Sequence, residues 1–195
     1  MKKYVALVFI LLIGSLYFFD KIYPNLAYSE LGAVNNILVY KAERKLVLLN
    51  DDKVIKTYKI SLGGAPVGNK QQEGDQKTPE GSYYIDWKHP SSSFHQALRI
   101  SYPNSLDKIQ AEKKGVSPGG DIMIHGLPNY LGWLYPLYKT IDWTDGCIAV
   151  SNVEIEEIIS SVKVGTPITI YPWSSNEIVE YQKPDINKEK MVRGM

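Results

Sequence analysis

The chain predicts a mainly β domain, and three observations carry that prediction. At least six short runs rich in Val, Ile, Leu and Tyr are bounded by turn residues. Two of them, KLVLLN and VIKTYKISL, flank the turn NDDK and read as a hairpin. Against these stands one clear soluble helix, SNVEIEEIISSVK. Composition alone leaves a sandwich, a barrel and an α+β domain open.

The elements follow in order. Met1, Lys2 and Lys3 precede 16 uncharged residues from Tyr4 to Phe19. A membrane span typically takes about 17 to 25 residues, and flanking residues stretch a slightly short one. No small-residue cleavage pattern follows, so the run reads as an uncleaved hydrophobic anchor helix rather than a removed signal peptide. The two lysines place the amino terminus inside. An extracytoplasmic domain tethered to the cytoplasmic membrane is the expected localisation. Residues 1–23 are then signal or anchor, 24–34 a linker, 35–173 the folded domain and 174–195 a polar tail. About 175 residues outside the anchor form one domain of ordinary size. Net charge near +1, with no Lys/Arg tract, excludes a nucleic-acid partner.

NILVY and KLVLLN open the domain as strands. GGAPVGNKQQEGDQKTPEG is a long Gly- and charge-rich loop, either a solvated connector or part of a functional cleft. SYYIDW and ALRISY read as strands on either side of a polar KHPSSSFHQ connection. NSLDKIQAEKKG is a short exposed helix or irregular turn ending by Gly115. Tyr130, Trp133, Tyr135, Tyr138 and Trp143 concentrate in GLPNYLGWLYPLYKTIDWT, as a packed lobe, an aromatic lid over a peptide, or both. In the late helix Ser151 is the N-cap, Glu154 its reciprocal partner, and Ile155, Ile158, Ile159 and Val162 form the apolar stripe. ITIYP closes the domain as a strand.

The chemistry concentrates in DIMIHGLPNYLGWLYPLYKTIDWTDGC, which holds His125 and the chain's one cysteine, Cys147. A thiol attacks a carbonyl as its thiolate, and an imidazole is matched to draw off that proton near neutral pH. Cys147 is the candidate nucleophile and His125 the candidate base. Their separation of 22 residues requires tertiary structure to close the pair. DIMIH delivers His125 at the end of a buried strand; TDGC is a turn in which Gly146 frees backbone N–H groups for an oxyanion. Asp145 and Thr144 are candidates to orient the imidazole or line the cleft, with Gly126, Tyr130, Trp133 and Trp143 as further cleft candidates. The plainer reading is a buried apolar cysteine and a structural histidine. One cysteine allows no internal disulfide. His89 and His95 lie in the polar connection without a Cys/His ligand cluster, so no metal is expected.

IMIHG, DWTDGCIAVSNVEIEEI, GTPITIYP, GDQKTPEGSYYI and PGGDIMIHG together resemble the L,D-transpeptidase (YkuD-type) catalytic domain over roughly residues 35 to 172. The resemblance implies a YkuD-type β sandwich with short helical decoration. It also implies a cysteine of an [ST]-H-G-C motif that is acylated, here Cys147, after Gly146 and Thr144, with His125 as base. Asp145 stands where the motif has a second histidine, and Ala149 where Asn or Arg is frequent. The implied reaction cuts a peptidoglycan tetrapeptide stem at an L,D bond and passes the acyl group from a thioester to the amine of another stem or of a lipoprotein, with no cofactor. Water as acceptor makes the same site a carboxypeptidase or endopeptidase. A non-catalytic, membrane-anchored wall-binding protein is the alternative from another class.

Overall fold

The structure is a computed structural model, and it describes residues 2–17 and 31–176. Eight strands form one sheet: β1 (Asn36–Tyr40), β2 (Lys45–Asn50), β3 (Lys53–Lys59), β4 (Gly81–Ser92), β5 (His95–Ile100), β6 (Met123–His125), β7 (Ile148–Ala149) and β8 (Pro167–Tyr171). Their spatial order is β3-β2-β1-β8-β4-β5-β6-β7. The helices are α1 (Lys2–Tyr17), α2 (Ser105–Lys113), α3 (Tyr135–Tyr138) and α4 (Asn152–Ser161), with a 3-10 turn at Gly132–Leu134.

The expected mainly β sandwich is therefore corrected to a mixed α/β fold. Two features of strand pairing explain the difference. β8 inserts beside β1 in parallel (Ile37↔Ile168) and beside β4 antiparallel (Tyr83↔Ile168). β4 pairs with β8 through Gly81–Tyr84 and with β5 from Ile85 onward, its register shifting between Ile85 and Trp87. One long bent strand thus joins the two halves, and Ser61, just after β3, pairs with Ala149 of β7, so side chains from both halves share one core. Alternation within a run announces a strand, but which strands pair is decided by residues far apart in sequence.

The anchor is also corrected. α1 has 16 residues, a rise of about 24 Å against the ~30 Å of a hydrocarbon core. Among the described residues no helix is long and apolar enough to cross a membrane. This finding overturns the anchor helix, and with it the membrane tether on which the expected localisation was built. The expected linker lies mostly, and the expected tail beyond residue 176 wholly, outside the described residues.

Other local signals hold. β2 and β3 form the expected hairpin around NDDK (Asn50↔Lys53). In α4, Ser151 Oγ accepts the Glu154 N–H at 3.2 Å and Glu154 Oε2 accepts the Ser151 N–H at 2.7 Å. Ile155, Ile158 and Val162 are fully buried and set this helix against β5 and β6. α2 carries a second capping box, Asn104 with Asp107, and the buried Asp107 also accepts the Tyr83 hydroxyl at 3.0 Å. Each cap contributes about 1 kcal/mol. The polar connection HPSSSFH is mostly strand, because β4 runs to Ser92 and β5 begins at His95.

Candidate active site

β6 lies between β5 and β7, antiparallel to one (Ala97↔His125) and parallel to the other (Ile124↔Ile148, His125↔Ala149). Side chains alternate along a strand, so Ile124 and Ile148 share the core face, where both are fully buried. Met123, His125 and the residue before β7, Cys147, then share the opposite face. This register closes the 22-residue gap. Cys147 and His125 line one cavity of about 380 Å³, whose walls include His89, Phe94, Asp121, Trp143, Thr144 and Asp145.

The turn carrying the sulfur is fixed by its backbone. Thr144, buried, accepts the Gly146 N–H at 3.2 Å and donates its hydroxyl to the Cys147 carbonyl at 2.8 Å. Its own backbone binds the start of the long loop: Thr144 N–H donates to Leu62 at 3.2 Å, and Gly64 N–H donates to Thr144 at 3.0 Å. Gly146 has φ +121°, and a Cβ there would lie 2.6 Å from the Lys77 carbonyl. Only glycine fits such a position. The Gly146 N–H expected to face an oxyanion is thus already committed to Thr144. Within the loop, Asp75 accepts the N–H groups of Gln71, Gln72 and Lys77 and pairs with the buried Lys70 at 2.8 Å. The Gly-rich loop therefore braces the Cys147 turn from beneath.

His125 is 4% exposed. Its Nδ1 lies 2.6 Å from the Gly126 carbonyl; a carbonyl oxygen only accepts, so Nδ1 carries the proton and Nε2 the lone pair. Phe94 lies against the ring at 4.6 Å and Trp143 meets it edge-on at 5.8 Å. Burial pushes the imidazole below its ordinary pKa, and the Gly126 bond opposes this. Burial likewise pushes the Cys147 thiol up; the Met123 N–H and Lys70 oppose that shift, while Asp145 and Asp121 add to it. Both shifts favour the neutral thiol and neutral imidazole over the thiolate–imidazolium pair.

The other expected site residues divide. Asp145 is exposed at the cavity wall and acts on the sulfur as a like charge, whereas the ring nitrogen it was expected to orient is held by Gly126. Gly126 is buried behind the site, where a Cβ would meet Asn152 Oδ1 at 2.8 Å. Trp143 reaches the cavity; Tyr130 lines a neighbouring one, and Trp133 is 46% exposed and lines neither. Sequence reasoning missed Asp121, Met123, Phe94 and His89. The first two were signalled by the same alternation that ends at His125; the others depend on a hairpin read as a connection. Among the described residues no group of three His, Cys, Asp or Glu side chains is placed to hold a metal ion.

Fold and site together define a domain with a cysteine and a histidine on one cavity. The family model of the L,D-transpeptidase catalytic domain (YkuD) matches residues 35–170, and the chain belongs to that family. A curated relative, "Putative L,D-transpeptidase YafK" of Escherichia coli (strain K12), is 29% identical over 157 aligned positions, covering 73% of this chain and 56% of the relative. The chain thus spans little more than half the length of the curated relatives it matches. Among solved structures, the helical cell shape determining protein Pgp2 from Campylobacter jejuni is 26% identical with a TM-score of 0.53, covering 80% of this chain and 56% of that one. Bdellovibrio bacteriovorus Bd1075 is 27% identical with a TM-score of 0.50, covering 86% and 57%.

Proposed function

We propose that this chain is a cysteine-dependent L,D-transpeptidase that acts on peptidoglycan tetrapeptide stems through a thioester, its catalytic unit running over residues 35 to 173. The observation that carries the reading is the single cavity lined by Cys147 and by a His125 whose Nδ1 proton is bound to Gly126. That bond leaves Nε2 as the group that takes the thiol proton when the sulfur attacks the peptide carbonyl. The Met123 N–H, which opposes the upward shift of the thiol, favours the thiolate as it forms. With the Gly146 N–H spent on the turn, the Cys147 N–H is the backbone donor nearest the oxyanion. The tetrahedral intermediate collapses, the imidazolium protonates the leaving amine, and the acyl group remains on sulfur. A second amine, from another stem or a lipoprotein, or a water, then releases it as His125 again serves as base. Likeness to a cell shape determining protein supports a part in shaping the wall.

Intact-protein mass spectrometry after incubation with purified tetrapeptide stems tests the reading. The expected result is a covalent adduct on wild type, lost in Cys147→Ser; a wild type that never acquires one is a binding module and not an enzyme. Product analysis with and without an added amine then separates transfer from hydrolysis.

A further inference from the structure

Across the hairpin tip between β4 and β5 lies a second hollow of about 270 Å³, distinct from the cysteine cavity and sharing only Ser92 with it. Its walls are polar: Ser91, Ser92, His95, Gln96, Asn129 and Asn152. Neither Lys nor Arg lines it, and His95 Nε2 is held by Glu156 Oε1 at 2.6 Å, so nothing in it favours an anion. Nothing favours an apolar ligand either.

Asn152 marks the hollow as a binding site. It is 7% exposed, and its Oδ1 accepts the Leu127 N–H at 2.9 Å. No acceptor among the described residues meets its amide nitrogen, which is the end left to the hollow. A ligand acceptor in the hollow would take the place of solvent at this donor. The opposite wall is prefixed: Asn129 accepts the His95 N–H at 3.0 Å and donates to the Ser92 carbonyl at 3.1 Å, tying the hairpin tip to the segment after β6. His95 (φ +68°) and Tyr130 (φ +69°) both hold left-handed backbone at the rim, a conformation non-glycine residues adopt at a cost and often at ligand sites. The volume is below the ~300–1,000 Å³ of drug-sized ligand pockets, which limits the occupant to about one ring.

We infer that this hollow is a sugar subsite, taking one neutral N-acetylhexosamine unit of a wall glycan with the Asn152 amide donating to the acetamido carbonyl. The inference rests on the transpeptidase reading for its choice of polymer and deepens it. A stem peptide carries carboxylates, which this hollow does not neutralise; the glycan of the same polymer is uncharged at its acetamido groups and rich in hydroxyls. Bound there, the glycan would lie one hairpin tip away from Cys147, with Phe94 of that tip packed against His125.

Isothermal titration calorimetry on the Cys147→Ser protein tests it, with the N-acetylglucosamine dimer as probe, cellobiose as the sugar lacking acetamido groups, and a sugar-free tetrapeptide as competitor. Asn152→Asp keeps an oxygen for the Leu127 N–H and replaces the donor with a carboxylate oxygen, so ~tenfold weaker binding of the acetylated dimer is expected. Gln96→Ala, which leaves the strand backbone intact, should weaken it by a few fold, and cellobiose should bind ~tenfold less tightly than the dimer. Absence of binding by the dimer, binding indifferent to both substitutions, or displacement by the tetrapeptide would each overturn the subsite. Acylation of wild type by stems is read separately. Sugar binding without acylation rejects the enzyme and keeps the subsite, while acylation without sugar binding does the reverse.

Discussion

The turn that carries Cys147 and the aromatic segment that precedes it are held in opposite ways. From Thr144 to Cys147 the backbone is pinned to Leu62, Gly64 and its own hydroxyl bonds, and Gly146 touches the Lys77 carbonyl with no room for a methyl. From Tyr130 to Ile141 the chain consists of one 3-10 turn and a four-residue helix, neither with a side-chain cap. Tyr130, Leu137 and Ile141 are at least half exposed. This segment is fastened at a few points: by Asn129 at the hairpin tip, by Tyr135 on Glu154 at 3.0 Å, by the Ser61 hydroxyl on the Tyr138 carbonyl at 2.8 Å, and by the Trp143 N–H on Leu62 at 3.1 Å. A nucleophile needs positional control to a fraction of an ångström; a surface that admits varied peptides does not. The two regions differ in the way those tasks require.

Gly146→Ala is the harshest test of that difference. It forces a Cβ to within 2.6 Å of a carbonyl at φ +121°, and should cost about 2–4 kcal/mol together with all acylation. Leu137→Ala, at a side chain 60% exposed, should move stability by no more than ~0.5 kcal/mol. Chemical denaturation of the two variants side by side measures both. Equal losses would mean that the aromatic segment is packed as firmly as the turn.

His125→Ala comes next. It should lower acylation at neutral pH by ~10²–10⁴-fold, with partial recovery in alkaline buffer as thiolate forms without a base. A neutral-pH rate equal to wild type would remove His125 from the mechanism.

The same pair sets a window of stability. His125 is depressed below 6.5 and Cys147 raised above 9.0. As pH falls below about 6.5 the unfolded imidazole takes a proton that the folded one refuses, and stability is lost. As pH rises past about 9.0 the unfolded thiol releases a proton that the folded one keeps, and stability is lost again. Between those values the pair contributes fully. In Cys147→Ser the alkaline loss should shrink while the acid loss persists, as denaturation followed across pH would show; an unchanged alkaline limb would place that titration elsewhere.

These outcomes bear on what could be read from the sequence. The Cys147/His125 pairing was legible because DIMIH is a strand pattern and TDGC a turn pattern, and each names its residue. α4 and the β2–β3 hairpin were legible because caps and turns are local. The pairing of β8 between β1 and β4 was not, since no local pattern encodes a partner more than 80 residues away. β4 was cut short at Trp87 because Pro90 and the serines after it imitate a loop, which an exposed strand end accommodates. The partner that fixes the His125 tautomer is a backbone carbonyl, and every residue offers one, so no side chain announces it.

Asp145→Asn is the smallest expected effect and the one that most sharpens the site. A carboxylate where the motif has a second histidine is a candidate, from sequence, to orient His125 or to line the cleft. Nδ1 of His125 is held at 2.6 Å by Gly126, and Asp145, at the same cavity wall, adds to the upward shift of the Cys147 thiol that burial causes. Asp145 is solvent-exposed, so its charge is screened and the change should be a few-fold. Removing the carboxylate should move the alkaline rise of alkylation by a small neutral thiol reagent to lower pH and speed the reaction near neutrality. Tetrapeptide acylation reports something else, because a peptide also meets Asp145 as part of the cavity wall. If acylation slows while alkylation quickens, Asp145 trades thiol reactivity for contact with the donor, and the effect should fall on KM more than on kcat. If both quicken together, the carboxylate only restrains the sulfur. Rates for both reactions across pH settle which; an alkylation profile that does not move at all would show that solvent screens Asp145 from the sulfur entirely.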